Sequence, residues 1–409
     1  MPTFIRETPS VRTITTRLAA VLAVVATVAA CSDDVDVLKP PAPDARILER
    51  YVAIGNSITA GYQSSGINDS TQRESYARLL AQQVGTGYVY ASLPPGCAPP
   101  LLSFQTGARV NPPGACGLTT SYPFLNNVAV PGATVVDFTT PYSASFSGLT
   151  SLILGGRSQL RRALDVNPTF VTVWLGNNDV LAAGASGVLT PTAGVSPGVT
   201  PVNTFIAAYK AGADSLGANV PRGVLIGVVN VSNIPLLFPA ESLLTNPPFK
   251  AQFDAARGGA TTVLANCVGS RALVSLGGLS SAAGRAALAT ISCVKGQPVA
   301  AAGETFILDA TEQATIALAV ASYNSYISTK ADSMGYAYVD PNPVLETLRA
   351  SGAVPAKPVF TSAKPFGDYI SLDGVHPAGP AHRLLTNLLI DTINAKYGTS
   401  IAKLTITTT

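Results

Sequence analysis

The sequence alternates short apolar segments with segments of helical periodicity. The apolar segments, at residues 49–55, 170–175, 223–231 and 336–340, contain many β-branched residues. Segments of this kind predict short strands that are covered on both faces. Helices are predicted at residues 76–84, 204–216, 312–334 and 379–397. Strands and helices in this order indicate an α/β domain with helices on both faces of a parallel sheet.

Two stretches depart from this alternation. Residues 94–122 are loop-like, and residues 239–303 are rich in Ala, Gly, Leu and Ser. We interpret both as insertions at the edge of a single domain of residues 47–409, and we expect them to shape the substrate pocket. The segment 398–409 is predicted to be a frayed end or an edge strand.

Composition and charge exclude several classes of protein. The chain has 26 Lys and Arg, 23 Asp and Glu and a net charge of +3, so it lacks the basic surface of a nucleic-acid-binding protein. Apolar residues make up 47% of the chain, which supplies a large core and excludes wholesale disorder. After residue 30, no apolar run approaches the roughly 18–20 residues of a membrane-spanning helix.

The first 30 residues have the order of a secretory signal peptide. Arginines come first, an apolar stretch follows at residues 18–28, and small residues precede Cys31. Residues 28–31, Val-Ala-Ala-Cys, resemble a bacterial lipobox, and this resemblance implies cleavage before Cys31 and lipidation of its thiol. The alternatives are an ordinary signal peptide cut after Ala30 and a short membrane anchor.

Residues 31–46 are polar and rich in proline, which predicts a tether between the lipidated Cys31 and the folded domain. Ser32, rather than an aspartate, follows the cysteine. Together these features predict an exported protein that is lipid-anchored at the bacterial cell envelope, at the outer membrane.

The chain has five cysteines, which would leave an odd thiol in an exported protein. Lipidation of Cys31 would leave four. Four cysteines allow three pairings, and we favour the local one, Cys97 with Cys116 and Cys267 with Cys293. Free buried thiols are the alternative, but an oxidising compartment argues against them.

Three residues are candidates for nucleophilic catalysis. The chain has only two histidines, His376 and His382, and His382 falls inside a predicted helix where we expect a packing role. Asp373 lies three residues before His376 in a loop with a glycine, so a turn can bring its carboxylate to the imidazole. Ser57 follows the first predicted strand, at the sheet edge where open α/β sheets bind ligands. A serine nucleophile needs such a base and such a carboxylate, so these residues are a candidate triad.

Acyl transfer also needs hydrogen-bond donors for the developing oxyanion. Asn178 follows the strand predicted at residues 170–175, and its side-chain amide would be well placed. Gly132 lies in a loop, and a glycine lets the backbone approach a ligand closely. The N–H groups of Ser57 and Gly132 and the amide of Asn178 form a candidate oxyanion hole.

Four segments of the chain resemble, in this order, the four sequence blocks of the SGNH (GDSL-type) hydrolase superfamily. The segments are GNSITAG at 55–61, NVAVPGAT at 127–134, GNND at 176–179 and DGVHP at 373–377. The resemblance implies a flavodoxin-like three-layer α/β/α sandwich with a parallel sheet. Asn56 stands where the family usually has an aspartate, and we expect this change to alter local hydrogen bonding rather than abolish activity.

The resemblance also implies the role of each site residue. Ser57 would be the nucleophile, and Asp373 and His376 would complete the triad. Gly132 and Asn178 would join the Ser57 N–H in the oxyanion hole. No cofactor is implied, and the sequence offers no cluster of histidines and acidic residues for a metal site.

The sequence therefore predicts an exported, lipid-anchored serine ester hydrolase, a lipase or esterase, that forms an acyl-enzyme. An acyltransferase or a carbohydrate deacetylase on the same fold, or a non-catalytic surface binding lipoprotein, are the alternatives. The expected partners are a small-molecule or lipid ester and, through Cys31, a membrane. The Ala- and Leu-rich second insertion favours a fatty-acyl ester over an acetylated polysaccharide.

Overall fold

A computed structural model describes residues 43–94, 96–112, 114, 116–118, 122–140, 149–189, 198–296 and 305–406. The predicted signal peptide at residues 1–30 and Cys31 lie outside the described residues, as does most of the tether at 31–46. Within these ranges, no helix is both long enough and apolar enough to cross a bilayer.

The helices and strands are numbered here in chain order. The strands are β1 Tyr51–Gly55, β2 Phe170–Trp174, β3 Gly223–Ile226, β4 Leu237–Pro239, β5 Thr262–Val263, β6 Leu273–Ser275, β7 Thr290–Ile291, β8 Ile307–Leu308 and β9 Ala337–Val339. The helices are α1 Ser57–Ala60, α2 Asp69–Arg73, α3 Tyr76–Val84, α4 Leu149–Leu154, α5 Gln159–Leu164, α6 Asn178–Ser186, α7 Val202–Asn219, α8 Ser242–Thr245, α9 Pro247–Arg257, α10 Ala282–Ala287, α11 Ala310–Met334, α12 Asn342–Ala350 and α13 Gly379–Tyr397.

The longest helix, α11, begins and ends at capping residues. Asp309 accepts a hydrogen bond from the Glu312 N–H at the start of α11, and the Glu312 side chain returns to the Asp309 N–H. Such a capping box satisfies two backbone donors that have no partner within the helix. Gly335 ends α11 at a φ of +68°, and Gly398 ends α13 at +66°, a conformation that glycine adopts at little cost.

The main sheet is parallel and has the order β1–β2–β3–β9. On the outer side of β1, single pairings of Ala53 with Asn127 and of Asn127 with Tyr90 extend it. Gly55 at the end of β1 lies opposite Trp174 at the end of β2. The segments after these two strands therefore meet at the carboxyl edge of the sheet.

Different helices cover the two faces of this sheet. Tyr51 and Ala53 of β1 belong to a core with α3 and α13, whereas Val52 and Ile54 belong to a core with α7 and α11. This alternation is what a strand with two buried faces requires. The structure is thus a three-layer α/β/α sandwich around a parallel sheet, as predicted.

The second insertion, residues 239–303, packs together with residues 354–370 around a hydrophobic core separate from those of the main sheet. Phe238, Phe253 and Val274 pack there with Cys267, which is bonded to Cys293. An antiparallel sheet β4–β6–β8 and the parallel pair β5–β7 frame this core.

The described part of the first insertion, residues 94–122, contains neither a helix nor a strand. A disulfide joins Cys97 to Cys116 across it. Both disulfides are therefore the local pairs that the sequence favoured.

Two predicted elements were wrong in detail. The strand predicted over 223–231 ends at Ile226, because the Asn324 amide forms hydrogen bonds with both the N–H and the C=O of Val228, at 2.6 and 2.9 Å.

The segment 398–406 is neither frayed nor an edge strand. Asn394 and Asn387 of α13 each donate to and accept from its backbone, at Ile401 and at Leu404. The segment is thus bonded to helix side chains rather than to a strand.

Candidate active site

Ser57 is the first residue of α1, and one residue separates it from the end of β1. Asn56 precedes it and caps α1, because its Oδ1 accepts a hydrogen bond of 3.1 Å from the Ile58 N–H. The first N–H groups of a helix have no acceptor within that helix, so the Ser57 N–H is one such donor. Ser57 lies at the carboxyl end of the sheet, where the sequence predicted a nucleophile.

Ser57, His376 and Asp373 form one continuous chain of hydrogen bonds. The distance from Ser57 Oγ to His376 Nε2 is 2.8 Å, and the distance from His376 Nδ1 to Asp373 Oδ2 is also 2.8 Å. The loop allows this because Gly374 has a φ of +72°, so the chain reverses between the carboxylate and the imidazole. Asp373 Oδ1 also accepts from the N–H groups of Val375 and His376, which fixes the turn.

The ionised Asp373 carboxylate fixes which ring nitrogen of His376 carries the proton. Burial alone would raise the pKa of Asp373, but the His376 charge, its hydrogen bond and the backbone N–H donors hold that pKa well below its usual value. An ionised carboxylate only accepts hydrogen bonds, so Nδ1 must carry the proton of a neutral ring. Nε2 is then free to accept the Ser57 proton. A serine hydroxyl held in this way can act as a nucleophile.

Three serines that the sequence analysis did not single out hold Asp373 in place. The Ser65 N–H donates to Asp373 Oδ2 at 2.8 Å, and the Ser371 hydroxyl donates to Oδ1 at 3.0 Å. The Ser64 N–H in turn donates to Ser371 Oγ at 2.9 Å. Ser64 and Ser65 both have a φ of +54°, which is uncommon outside glycine and is a feature of strained functional loops. The Ser-Ser-Gly sequence at 64–66 is the one hint of this turn.

The proposed oxyanion donors come from two neighbouring loops. The Asn178 amide donates to the Ala133 carbonyl at 2.8 Å, which ties the start of α6 to the loop that contains Gly132. A second amide proton of Asn178 remains for a ligand. Gly132 has a φ of +88°, so this position favours glycine. Asp179 is buried and accepts from the Val135 N–H at 2.9 Å, which holds the two loops together.

Two further residues flank the histidine. The Tyr62 ring lies 4.9 Å from the His376 ring, centroid to centroid, and forms one side of the site. His382 is fully buried in α13, and its Nδ1 accepts from the Tyr76 N–H at 3.2 Å. Burial, followed by the charge of His376, lowers the pKa of His382 to about 3, so this ring is neutral and has the packing role expected from its helix.

A pocket with a volume of about 100 Å³ opens beside Ser57 and His376. Its walls come from α6, the segment after β3, α12 and α13, and none of the described residues of either insertion lines it. The expectation that residues 94–122 and 239–303 shape the substrate pocket was therefore wrong for this cavity. The two insertions instead line a separate groove of about 840 Å³ beside Asp373, and its lining includes Phe104, Arg109 and Gln252.

In the part of the chain that the structure describes, no three His, Cys, Asp or Glu side chains are grouped so as to bind a metal ion.

A family model described as GDSL-like lipase/acylhydrolase matches residues 51–389, which include every residue of the site. The chain belongs to this family. As a GDSL-like lipase/acylhydrolase it hydrolyses ester bonds, and the SGNH resemblance seen in the sequence is confirmed. No curated protein sequence matches the chain.

Two solved structures are similar to this GDSL-family chain at low sequence identity. One is a mutant of Axe2, an acetyl-xylooligosaccharide esterase from Geobacillus stearothermophilus, with 10% identity, a TM-score of 0.37, and coverage of 87% of this chain and 96% of that chain. The other is an extracellular lipase from Streptomyces rimosus, with 15% identity, a TM-score of 0.35, and coverage of 84% of this chain and 98% of that chain.

Proposed function

We propose that this protein is a serine hydrolase of carboxylic esters that works through an acyl-enzyme on Ser57. The observation that carries the proposal is the chain of two 2.8 Å contacts from Ser57 Oγ through His376 to Asp373. A binding protein of the same fold would need neither the imidazole nor the carboxylate in this geometry. The family's ester-bond chemistry is consistent with it.

In the first half-reaction, Ser57 Oγ attacks the ester carbonyl carbon while His376 Nε2 takes the serine proton. Asp373 stabilises the imidazolium that forms. The tetrahedral intermediate then collapses: the bond between the carbonyl carbon and the alcohol oxygen breaks, and His376 gives its proton to the departing alcohol. The products of this step are the free alcohol and an acyl group bound to Ser57.

In the second half-reaction, water replaces the alcohol. His376 Nε2 takes a proton from the water as its oxygen attacks the acyl carbon, and the bond to Ser57 Oγ breaks. The proton returns to Ser57, and a carboxylic acid is released. In both steps the Ser57 and Gly132 N–H groups and the Asn178 amide stabilise the negative charge on the carbonyl oxygen.

The proposal also includes the cellular location of the protein. The sequence of residues 1–30 supports export, and Cys31 supports a lipid anchor at the outer membrane of a bacterial envelope. The substrate is then a small-molecule or lipid ester that reaches the envelope. Cys31→Ser should move the full-length protein from the detergent phase to the aqueous phase in a detergent partition experiment. Equal partition of the two proteins would contradict the anchor.

A fluorophosphonate probe tests the nucleophile directly, since it labels activated serines. The wild-type protein should be labelled and Ser57→Ala should not, with the fold of both verified by circular dichroism. Ser333→Ala, a change at an exposed serine of α11, is the matched control and should be labelled like the wild type. Labelling of the Ser57→Ala protein, or no labelling of a folded wild type, would overturn the assignment.

A further inference from the structure

The pocket beside Ser57 is apolar almost throughout. Apart from the site residues and Asn177, its walls are aliphatic or aromatic, with Leu181 from α6, Val229 from the segment after β3, and Leu384 from α13. A sugar in such a pocket would leave its hydroxyls without hydrogen-bond partners. A hydrocarbon chain would gain from leaving water.

Helix α12 forms one wall of this pocket and was not among the helices predicted from the sequence. Val344, Leu345 and Leu348 share one face of the helix and line the pocket. All three are half-buried, and no residue of α12 is fully buried. Glu346 and Thr347 on the other side are exposed. The apolar face of α12 therefore lines the pocket while Leu345 and Leu348 also pack against the neighbouring cores.

The wall is held in a fixed position at both ends. Near its start, Asn342 Oδ1 accepts from the Asn230 N–H at 2.7 Å, and its amide donates to the Val228 carbonyl at 3.0 Å. Near its end, Arg349 donates to the Asn233 carbonyl at 2.9 Å. The segment 228–233 that anchors α12 also contributes Val229 and Val231 to the pocket. The cavity is thus formed before any substrate arrives.

We propose that the apolar face of α12, formed by Val344, Leu345 and Leu348, is the wall that selects the acyl group of the ester by length. This inference rests on the proposed function. Asn178, which would hold the carbonyl oxygen, and Leu181 one turn later in α6 both line the pocket. The proposal places the chain on the carbonyl carbon in this pocket; because His376 lines it as well, a series that varies the alcohol tests the opposite placement.

Two ester series test the proposal on the whole protein. In the first, p-nitrophenyl esters carry acyl chains of increasing length; in the second, acetate esters carry alcohols of increasing length. The value of kcat/KM should rise about fourfold for each added acyl methylene until the pocket is full, which corresponds to about 0.8 kcal/mol per buried CH₂. It should change little along the alcohol series. A flat acyl series with normal acetate turnover, or a rise along the alcohol series alone, would overturn the inference.

Variants of α12 identify the wall. Leu348→Trp should lower the ratio of kcat/KM for the preferred long-chain ester to that for the acetate at least tenfold. Leu348→Ala should move the maximum to longer chains. Thr347→Trp, on the exposed side of the same helix, is the matched control and should keep the wild-type profile. Equal effects of the two Trp variants, or none from either Leu348 change, would refute the role of this face.

The tests separate this inference from the proposed function. If Ser57 is labelled and esters are hydrolysed but the acyl profile is flat, the wall assignment fails alone. If the folded protein hydrolyses no ester and Ser57 takes no fluorophosphonate, both fail together.

Discussion

Replacing Asp373 by asparagine tests how the carboxylate controls the histidine. Its two oxygens accept five hydrogen bonds, three at Oδ1 and two at Oδ2. The asparagine has one oxygen, which keeps the three bonds at Oδ1, and its NH₂ group then faces the Ser65 N–H and His376 Nδ1. His376 can accept from this NH₂ only by moving its own proton to Nε2. Nε2 then no longer accepts from Ser57.

Two magnitudes follow for Asp373→Asn. The tautomer change lowers kcat about 10⁴-fold in a serine hydrolase whose triad carboxylate is replaced in this way, and we expect a loss of that order here. The Ser65 N–H is left without an acceptor, which lowers the free energy of unfolding by about 1–3 kcal/mol. Steady-state hydrolysis of a p-nitrophenyl ester measures the first effect, and denaturant titration measures the second.

The stability difference should depend on pH. Although burial raises the pKa of Asp373, the charge and hydrogen bonds of His376 lower it further, so the folded protein binds this proton more weakly than the unfolded chain. The contribution of the carboxylate is therefore complete above about pH 4 and is lost as the pH falls further. The gap between wild type and Asp373→Asn should narrow in that range. Asp368→Asn, at a surface ion pair with Lys364, is the control. An Asp373→Asn protein with kcat within tenfold of the wild type would refute the reasoning.

Three other predictions concern separate parts of the molecule. Asn178→Ala should lower kcat by about 10²–10³ with little change in KM, since an oxyanion donor acts chiefly in the transition state, as steady-state kinetics would show. The double change Cys267→Ser and Cys293→Ser removes a disulfide that closes a loop of sequence separation 26. A denaturant titration should give a free energy of unfolding lower by about 3.5 kcal/mol, while kcat/KM stays unchanged. Burial raises the pKa of Asp179 to about 7, so the folded protein binds this proton more tightly than the unfolded chain does. Denaturant titrations should therefore show the free energy of unfolding falling by on the order of 4 kcal/mol from about pH 4 to about pH 7. Asp179→Asn should lack this slope.

Each of these has a contradicting result. A normal kcat in Asn178→Ala would remove its amide from the oxyanion hole. A cysteine variant that is folded but has a clearly lower kcat/KM would mean that the second insertion supports the active site. The same pH slope in Asp179→Asn and in the wild type would assign that slope to another group.

The sequence predicted the site because each of its parts is local. The turn from Asp373 to His376 needs only a glycine between them, and Ser57 needs only a strand that ends before it. The strands β1 and β2 could also be predicted, because a strand that is buried on both faces is a continuous apolar run in the sequence. Local signals of this kind survive without knowledge of the tertiary structure.

The parts that the sequence did not reveal depend on contacts between distant segments. The end of β3 is set by Asn324 in α11, 96 residues away from Val228. The support of Asp373 comes from Ser65, 308 residues away. The pocket wall α12 begins at Asn342 and has Pro343 in its first turn, which is a common start of a helix. The helix was not predicted because its nine residues are too few for a clear periodic pattern. No pattern in the chain states that its apolar face meets the serine.

The hydrogen bond between Ser57 and His376 joins residues 319 positions apart. Ser57 follows the first strand of the sheet and His376 precedes the last helix, so the two meet only when both ends of the domain have docked. Contacts over such separations carry a loop-closure entropy cost that the local contacts within a helix do not. A partly folded chain can hold most of its helices and still have no base beside its serine. Ester turnover is therefore a stricter measure of complete folding than helix content, and a chain that is still folding is harmless to the esters around it.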